Sequence, residues 1–137
     1  MVRSAQDVGL AVKRVQHRHH RALTAALADL GVSLVQWDTL RHLDRHPDAS
    51  LHDLARLTFQ TDQSFGALAN RMVERGLIER VPGGGRTLLH VLTRKGRAML
   101  AQAHEVANAV IAESFAPLSA AERKQLQALL ERLLPAD

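Results

Sequence analysis

The segment from residue 61 to residue 75 carries polar side chains whose types and spacing suit hydrogen bonding to nucleic-acid bases. At 100° per residue, Gln63, Ala67 and Asn70 lie on one face of a helix, with Ser64 and Arg71 on its flank. A glutamine amide can pair bidentately with adenine, and an alanine methyl suits the methyl of thymine. We expect Gln63, Ser64 and Ala67 to read bases, and Asn70 and Arg71 to reach the backbone or the groove edge. The candidate DNA contacts are Thr61, Gln63, Ser64, Ala67, Asn70 and Arg71, with Arg86 further along the chain.

A group of imidazoles near the N-terminus is a second candidate for chemistry. His17 and His20 fall at i and i+3 on one helix face, a spacing that places two potential metal ligands side by side. Two imidazoles do not complete a site, however, and the neighbouring Arg18 and Arg21 would repel a cation. We therefore expect a polar helix surface and no metal, while the same positive cluster could bind an anionic effector or nearby phosphates.

Residue patterns typical of enzymes do not occur in the sequence. It has no Ser-His-Asp order and no phosphate-binding Gly-x-x-x-x-Gly-Lys, and its three consecutive glycines, residues 83–85, join two predicted strands rather than a strand and a helix. There is no cysteine, which excludes disulfides, thiolate metal sites and thiol redox sensing within the chain. We expect neither catalysis nor a cofactor.

The polar helix is preceded by a second, shorter one. Ser50 is a good N-cap for a helix that runs to about Thr58, and Thr61 can cap the polar helix, which Gly76 ends. Two such helices joined by a tight turn are the helix-turn-helix arrangement, in which the second helix enters a DNA major groove. The spacing therefore agrees with the hydrogen-bonding chemistry.

A predicted β-hairpin follows the polar helix. Residues 77–81 and 87–92 are β-rich, and the Pro- and Gly-rich residues 82–86 between them predict a flexible tip. Together these elements make residues 33–97 a winged helix-turn-helix, whose hairpin, or wing, can reach the flanking backbone or minor groove.

Longer helices are predicted outside this module. They span residues 5–30, residues 34–45, a segment from the Thr93 cap to Phe115, and a last one after the Ser119 cap that ends near Leu134. Their apolar stripes exceed what a single wing module needs to cover itself, which favours packing against a second copy. We expect one domain over residues 1–137, mainly α with a small β-hairpin, and dimerisation helices in residues 1–30 and 98–137.

Charge is concentrated where an anionic partner would bind. The 137-residue chain has a formal charge of +4 and a pI near 10.6, and residues 1–21 and 41–97 each carry +4, whereas residues 22–40 and 98–137 each carry −2. Such a distribution favours nucleic acid. The charged N-terminal residues and the lack of a long apolar run predict neither a secretory signal nor a membrane span, and hence a cytoplasmic protein.

As a set, four short motifs resemble the MarR family of bacterial winged-helix regulators, over nearly the whole chain. The motifs are Gln36-Trp37-Asp38-Thr39-Leu40, Ser50-x-x-x-Leu54-Ala55, the run from Arg71 to Arg80, and Leu92-Thr93-x-x-Gly96. The resemblance implies a homodimer that binds a short palindromic operator near its own gene, usually as a repressor. Many relatives are released from DNA by small aromatic acids or related compounds, which implies a small-molecule effector; the alternative is a regulator that responds to no ligand.

Two departures from the family pattern bear on DNA affinity. Relatives usually carry an Asp-x-Arg at the wing tip, and the matching positions here are Gly84 and Arg86, so the arginine lacks its acidic brace. On the polar helix, relatives often place Arg or Thr where this chain has Asp62, Gly66 and an alanine. We expect a modest affinity that depends strongly on salt. The alternative is a dimeric protein-interaction module with weak, non-specific DNA binding.

Side chains around the motif complete the expectations. Trp37, the only tryptophan, is a core residue or lines an effector pocket where the first two helices meet the fifth, and His20 is the second pocket candidate. Three arginines outside the contact face are expected to face solvent or to pair with neighbouring acids on the same segments. The expected pairs are Arg56 with Asp53, Arg75 with Glu74, and Arg80 with Glu79.

Overall fold

Six helices and a two-stranded hairpin make up the part of the chain that the computed structural model describes, residues 4–85 and 87–136. The elements are α1 (Ala5–Ala28), α2 (Leu34–Arg45), α3 (Leu51–Leu57), α4 (Asp62–Glu74), β1 (Ile78–Pro82), β2 (Leu88–Leu92), α5 (Arg94–Phe115) and α6 (Ala120–Leu133). The predicted class, mainly α with a winged helix-turn-helix, is confirmed. Here α3 and α4 form the helix-turn-helix, and β1 and β2 form the wing.

Every helix in these ranges begins after a serine or threonine. In each case the cap hydroxyl accepts a hydrogen bond from the backbone N–H three residues on, and in α1, α2, α3 and α6 the side chain at that position bonds back to the cap N–H. Replacing such a cap by alanine typically costs about 1 kcal/mol. The caps are Ser4, Ser33, Ser50, Thr61, Thr93 and Ser119, and the caps at Ser50, Thr61, Thr93 and Ser119 agree with the sequence analysis.

Helix ends follow the glycines, with one shift. Gly31 and Gly76 both have φ of +75°, the left-handed conformation that favours glycine after a helix. The first helix nevertheless ends at Ala28 rather than at residue 30. The amides of Leu30 and Val32 both donate to the Leu27 carbonyl, which tightens the last turn into an irregular one.

The two wing strands are antiparallel and pair from Ile78 with Leu92 to Pro82 with Leu88. Each strand begins one residue later than predicted. For β1 the reason is that Leu77 belongs to the turn after α4. Its N–H donates to the Met72 carbonyl at 3.0 Å, and its carbonyl accepts from the Thr93 N–H at 3.1 Å. Arg86, at the wing tip, lies outside the described residues.

The hydrophobic core lies between the helix-turn-helix and the inner faces of α1, α2 and α5. Its largest fully buried side chains include Phe65, Leu27, Leu40 and Leu54. At the start of α5, Gly96 is pressed so closely against the turn that precedes β1 that an added Cβ would lie 2.0 Å from the Leu77 carbonyl oxygen. The core thus fixes α4 and the wing to the long helices.

The N-terminal half of α1 and the whole of α6 leave apolar side chains in solvent. No residue of α6 is buried, and its Leu129, Leu130 and Leu133 are between 39% and 75% exposed. The exposed apolar residues of the two helices are Val8, Leu10, Val12, Val15, Leu129, Leu130 and Leu133, with Leu134 just beyond the end of α6. Among the described residues, no helix has the length and apolar character needed to cross a membrane.

Candidate nucleic-acid interface

Helix α4 has one buried and one solvent-facing side. Phe65, Leu68, Ala69 and Met72 are at most 4% exposed and fasten the helix to the core. The opposite side carries the predicted contact residues, all of which are exposed: Thr61, Gln63, Ser64, Ala67, Asn70 and Arg71. The geometry therefore agrees with the face assigned from helical periodicity.

Hydrogen bonds already engage two of these side chains at the start of α4. The Thr61 hydroxyl accepts from the Ser64 N–H at 3.0 Å, and the Ser64 hydroxyl donates to Oε1 of Gln60 at 2.8 Å. These bonds fix the first turn of α4 before any ligand arrives. Gln63 lies on the same turn and is exposed.

An acidic side chain at the same end of α4 has a histidine partner. Nδ1 of His52, on α3, donates to the Asp62 carboxylate at 2.8 and 3.1 Å, and both side chains are about three fifths exposed. A carboxylate at a helix N-terminus is favourable for the helix but repels a phosphate. The imidazole therefore gives this carboxylate a hydrogen-bond partner, while both side chains stay largely exposed.

The last turn of α4 is tied to the wing. The Arg80 guanidinium on β1 donates from Nη2 to Oδ1 of Asn70 and from Nε to Nε2 of His90, the latter at 3.3 Å. His90 lies opposite Arg80 in the strand register and is 4% exposed. Burial, together with the nearby Arg80 charge, lowers the pKa of His90, which favours the neutral ring that can accept this bond.

None of the three predicted arginine–acid pairs forms in the described part of the chain, although Arg56 and Arg80 face solvent, the other outcome expected for them. Arg80 bonds to Asn70 and His90 instead of Glu79, because its side chain points across the hairpin rather than along the strand. Arg75 donates to Oε1 of Gln36 on α2 at 3.1 Å rather than pairing with the adjacent acid, since the turn after α4 faces α2. Both arginines hold elements together, and Arg56 is exposed on α3.

A cavity of about 640 Å³ brings the two predicted effector residues together. His20 of α1 and Trp37 of α2 both line it, and the Arg41 guanidinium lies 4.5 Å from the centre of the Trp37 ring. Its third wall is the turn between α3 and α4. The fifth helix was predicted to form a wall of this cavity, but it does not. Its His104 instead packs against Trp37 edge to face, with 6.2 Å between the two ring centres.

Phe59 stands at the mouth of this cavity in an unusual conformation. It occupies the turn between α3 and α4 with φ of +57°, and its side chain is 95% exposed. A bulky residue at positive φ is strained, and a ring that stays exposed to water contributes no hydrophobic stabilisation. Neither property contributes to folding of the described chain, which makes Phe59 a candidate for contact with a bound molecule.

Comparison with known proteins identifies the family. The MarR family model matches residues 30–87, which cover the helix-turn-helix and the first part of the wing. The HTH-type transcriptional repressor Rv2887 of Mycobacterium tuberculosis is 32% identical over 113 residues, or 81% of each chain. The chain belongs to the MarR family.

Solved MarR structures share the whole fold. The Mycobacterium tuberculosis MarR family protein Rv2887 in complex with DNA is 29% identical with a TM-score of 0.80, covering 93% of this chain and 97% of that one. The same protein with p-aminosalicylic acid is 30% identical with a TM-score of 0.79, over 91% and 96%. Wild-type Escherichia coli MarR in its apo form, 23% identical, has a TM-score of 0.82 over 98% and 100%, which indicates a common fold.

Sequence reasoning missed Arg41 and the contacts that join Arg80 to Asn70 and His90, and it did not predict the backbone conformation of Phe59. Arg41 was not singled out, although it follows Trp37 by four residues on one helix, a spacing that signals contact. The Asn70–Arg80 contact links elements ten residues apart, and only the strand register places His90 beside it. The strain at Phe59 has no sequence signal, because a phenylalanine does not indicate positive φ.

Proposed function

We propose that this chain is a dimeric, sequence-specific DNA-binding transcriptional repressor of the MarR family, whose affinity for its operator is lowered by a small aromatic acid. It acts where chromosomal DNA lies, in the cytoplasm, and we assign it no catalytic activity. The single observation that carries the DNA-binding part is the exposed polar face of α4, held by a buried apolar face on the opposite side.

Residues on α4 divide by the chemistry they can offer. Gln63 and Ala67 suit base edges, one through its amide and the other through a methyl contact with thymine. Arg71 suits a phosphate, and Arg86, outside the described residues, suits the minor groove or backbone beside the wing. The relative Rv2887, whose structure is known with DNA, has the same fold over nearly the whole length, which supports the assignment of this face.

Dimerisation is supported by the exposed apolar residues at the two chain ends. A helix with no fully buried residue, such as α6, gains little from packing against its own chain, and its exposed leucines favour a partner surface. Residues 1–30 and 98–137 are therefore the proposed dimer contact. A two-fold dimer would set two α4 helices into successive major grooves, with half-sites about 34 to 36 Å apart.

The test is selection of bound sequences from a random duplex pool at two salt concentrations, with the oligomeric state measured by light scattering. We expect a palindrome bound by a dimer. Gln63→Ala should relax the base preference at one position of each half-site, and the control Gln102→Ala, an exposed glutamine on α5, should leave the preference unchanged. Enrichment of no sequence, with binding lost at moderate salt, would instead support a protein-interaction module.

The effector assignment is supported by the composition of the Trp37 cavity. Arg41, whose Nη1 lies 3.7 Å from Oδ1 of Asp38, offers a positive charge to a carboxylate, Trp37 offers an aromatic ring, and His20 offers a hydrogen bond. Salicylic and p-aminosalicylic acid are bound in structures of the relative Rv2887. The volume of the cavity, about 640 Å³, also supports a ligand of this size.

Because Trp37 is the only tryptophan, its fluorescence reports directly on this cavity. We expect salicylate to quench it at saturable concentrations and to release the selected operator over the same range. Arg41→Met should weaken both effects, whereas Arg45→Met, on the same helix but not lining the cavity, should change neither. Operator release without a fluorescence change would move the effector site elsewhere.

A further inference from the structure

A chain of three side chains connects the recognition helix to the wing. Asn70 on α4 accepts a hydrogen bond from Arg80 on β1, and Arg80 also donates to His90 on β2. The first two side chains are exposed and the third is 4% exposed, so these hydrogen bonds lead from the proposed DNA surface into the interior. The inference below rests on the proposed function, because it concerns how α4 reads DNA.

The contact with Arg80 fixes the orientation of the Asn70 amide. A guanidinium has only donors, so it must bind the oxygen Oδ1 and not the nitrogen Nδ2. A hydrogen bond to a charged group is worth about 1.5 to 3 kcal/mol, which corresponds to at least tenfold resistance to turning the amide around. The Nδ2 group, with two N–H donors, is then the free end.

This orientation changes what Asn70 can recognise. Bidentate pairing with adenine needs the amide oxygen to accept from the base amino group while Nδ2 donates to N7. An amino group approaching Oδ1 would meet the positive charge of Arg80. We infer that Arg80 makes Asn70 a hydrogen-bond donor only, so that Asn70 contacts a phosphate oxygen or an acceptor atom of a base and does not pair bidentately with adenine.

His90 holds Arg80 in place. Its Nε2 accepts the bond from Arg80, which puts the ring proton on Nδ1, a buried atom without a hydrogen-bond partner in the described part of the chain. A leucine here would pack but not accept, and Arg80 could then leave Asn70. Arg80 and His90 are thus positioning residues for the contact that Asn70 makes.

Selection from a random duplex pool tests the inference by a double-mutant comparison. Arg80→Met should change the base preference at the position facing Asn70, with adenine gained, and Asn70→Ala should lose that contact with about a fivefold loss of affinity. In the Asn70→Ala background, Arg80→Met should change the preference no further. His90→Leu should have the same effect as Arg80→Met. His90→Gln, which keeps a hydrogen-bond acceptor, should retain the base preference of the wild-type protein.

The control is Arg56→Met, which removes an equal charge from an exposed position of the same module. If Arg80→Met lowers affinity uniformly, as this control does, with every base preference retained, the inference is wrong. A wild-type protein that enriches no sequence would overturn the proposed function instead.

Nuclear magnetic resonance of the free wild-type protein tests the arrangement without DNA and without variants that fail to fold. We expect an unprotonated Nε2 and a protonated Nδ1 in His90, and a slowly exchanging Nε–H in Arg80. A ring protonated at Nε2, or an Arg80 proton that exchanges like that of Arg56, would overturn the inference.

Discussion

Replacing Phe59 by glycine should stabilise the protein, although the change deletes an aromatic side chain. The residue has φ of +57°, a left-handed conformation that costs an L-residue about 1 to 2 kcal/mol. Glycine adopts it without strain but loses about 0.5 to 1 kcal/mol more conformational entropy on folding. The ring is 95% exposed, so almost no burial is lost. The difference is a gain of about 0.5 to 1 kcal/mol, since the relief of strain exceeds the entropy cost.

Thermal unfolding followed by circular dichroism measures this gain. For a chain of this length, 0.5 to 1 kcal/mol corresponds to a rise in Tm of about 2 to 4 °C. The matched control is Phe59→Ala, which removes the same ring but keeps a side chain at positive φ, and it should leave Tm nearly unchanged. The comparison therefore separates strain from packing.

A fall in the stability of Phe59→Gly by more than about 1 kcal/mol would refute this reasoning, because a loss of that size requires a buried ring. If Phe59→Ala fell equally, the ring would be in contact with a second copy of the chain in solution. Stabilisation of both variants to the same extent would instead show that exposure of the ring, and not φ, is unfavourable.

Three further changes test other parts of the structure. Gly96→Ala should lower the free energy of unfolding by at least about 2 kcal/mol, because a Cβ 2.0 Å from the Leu77 carbonyl outweighs the helix propensity gained; a denaturant midpoint at or above the wild-type value would contradict this. Asp62→Asn should tighten DNA binding about threefold at low salt and less at high salt, by fluorescence anisotropy, since a charge facing the phosphates is removed. Burial is the main cause that lowers the pKa of His42 and His90 below 6.5, so both rings are neutral in the folded protein near neutral pH. The free energy of unfolding should therefore be constant above pH 6.5 and fall below it, by at most about 1.4 kcal/mol per pH unit for each ring. Chemical denaturation between pH 5 and pH 8 measures this, and the absence of a loss of stability at acid pH would contradict it.

The elements of the fold were predictable from sequence because their boundaries depend on local interactions. Hydroxyl caps such as Ser33 and Thr93 bond to amides three residues away, and Gly76 adopts its left-handed conformation for reasons internal to one turn. The exposed face of α4 also followed from periodicity, since burial of Phe65 and its neighbours leaves only one side for solvent.

The hydrogen-bond partners within the site were not predictable in the same way. Arg75 and Arg80 each have an acidic neighbour in sequence, but their partners, Gln36 and Asn70, are set by how α2 and β1 pack against α4. The walls of the effector cavity depend on the same packing, which is why the fifth helix was wrongly included. The DNA contacts themselves remain a prediction.

The capped first turn of α4 has a consequence for the thermodynamics of recognition. With the Thr61 hydroxyl on the Ser64 amide and the Ser64 hydroxyl on Gln60, the reading helix is fully formed before it meets a duplex. Binding then involves no coupled folding of α4, so the heat-capacity change should reflect only the surface dehydrated at the interface. For a preformed helix of this kind, a mismatched base pair should cost the whole free energy of the lost contact, because α4 does not rearrange to replace it.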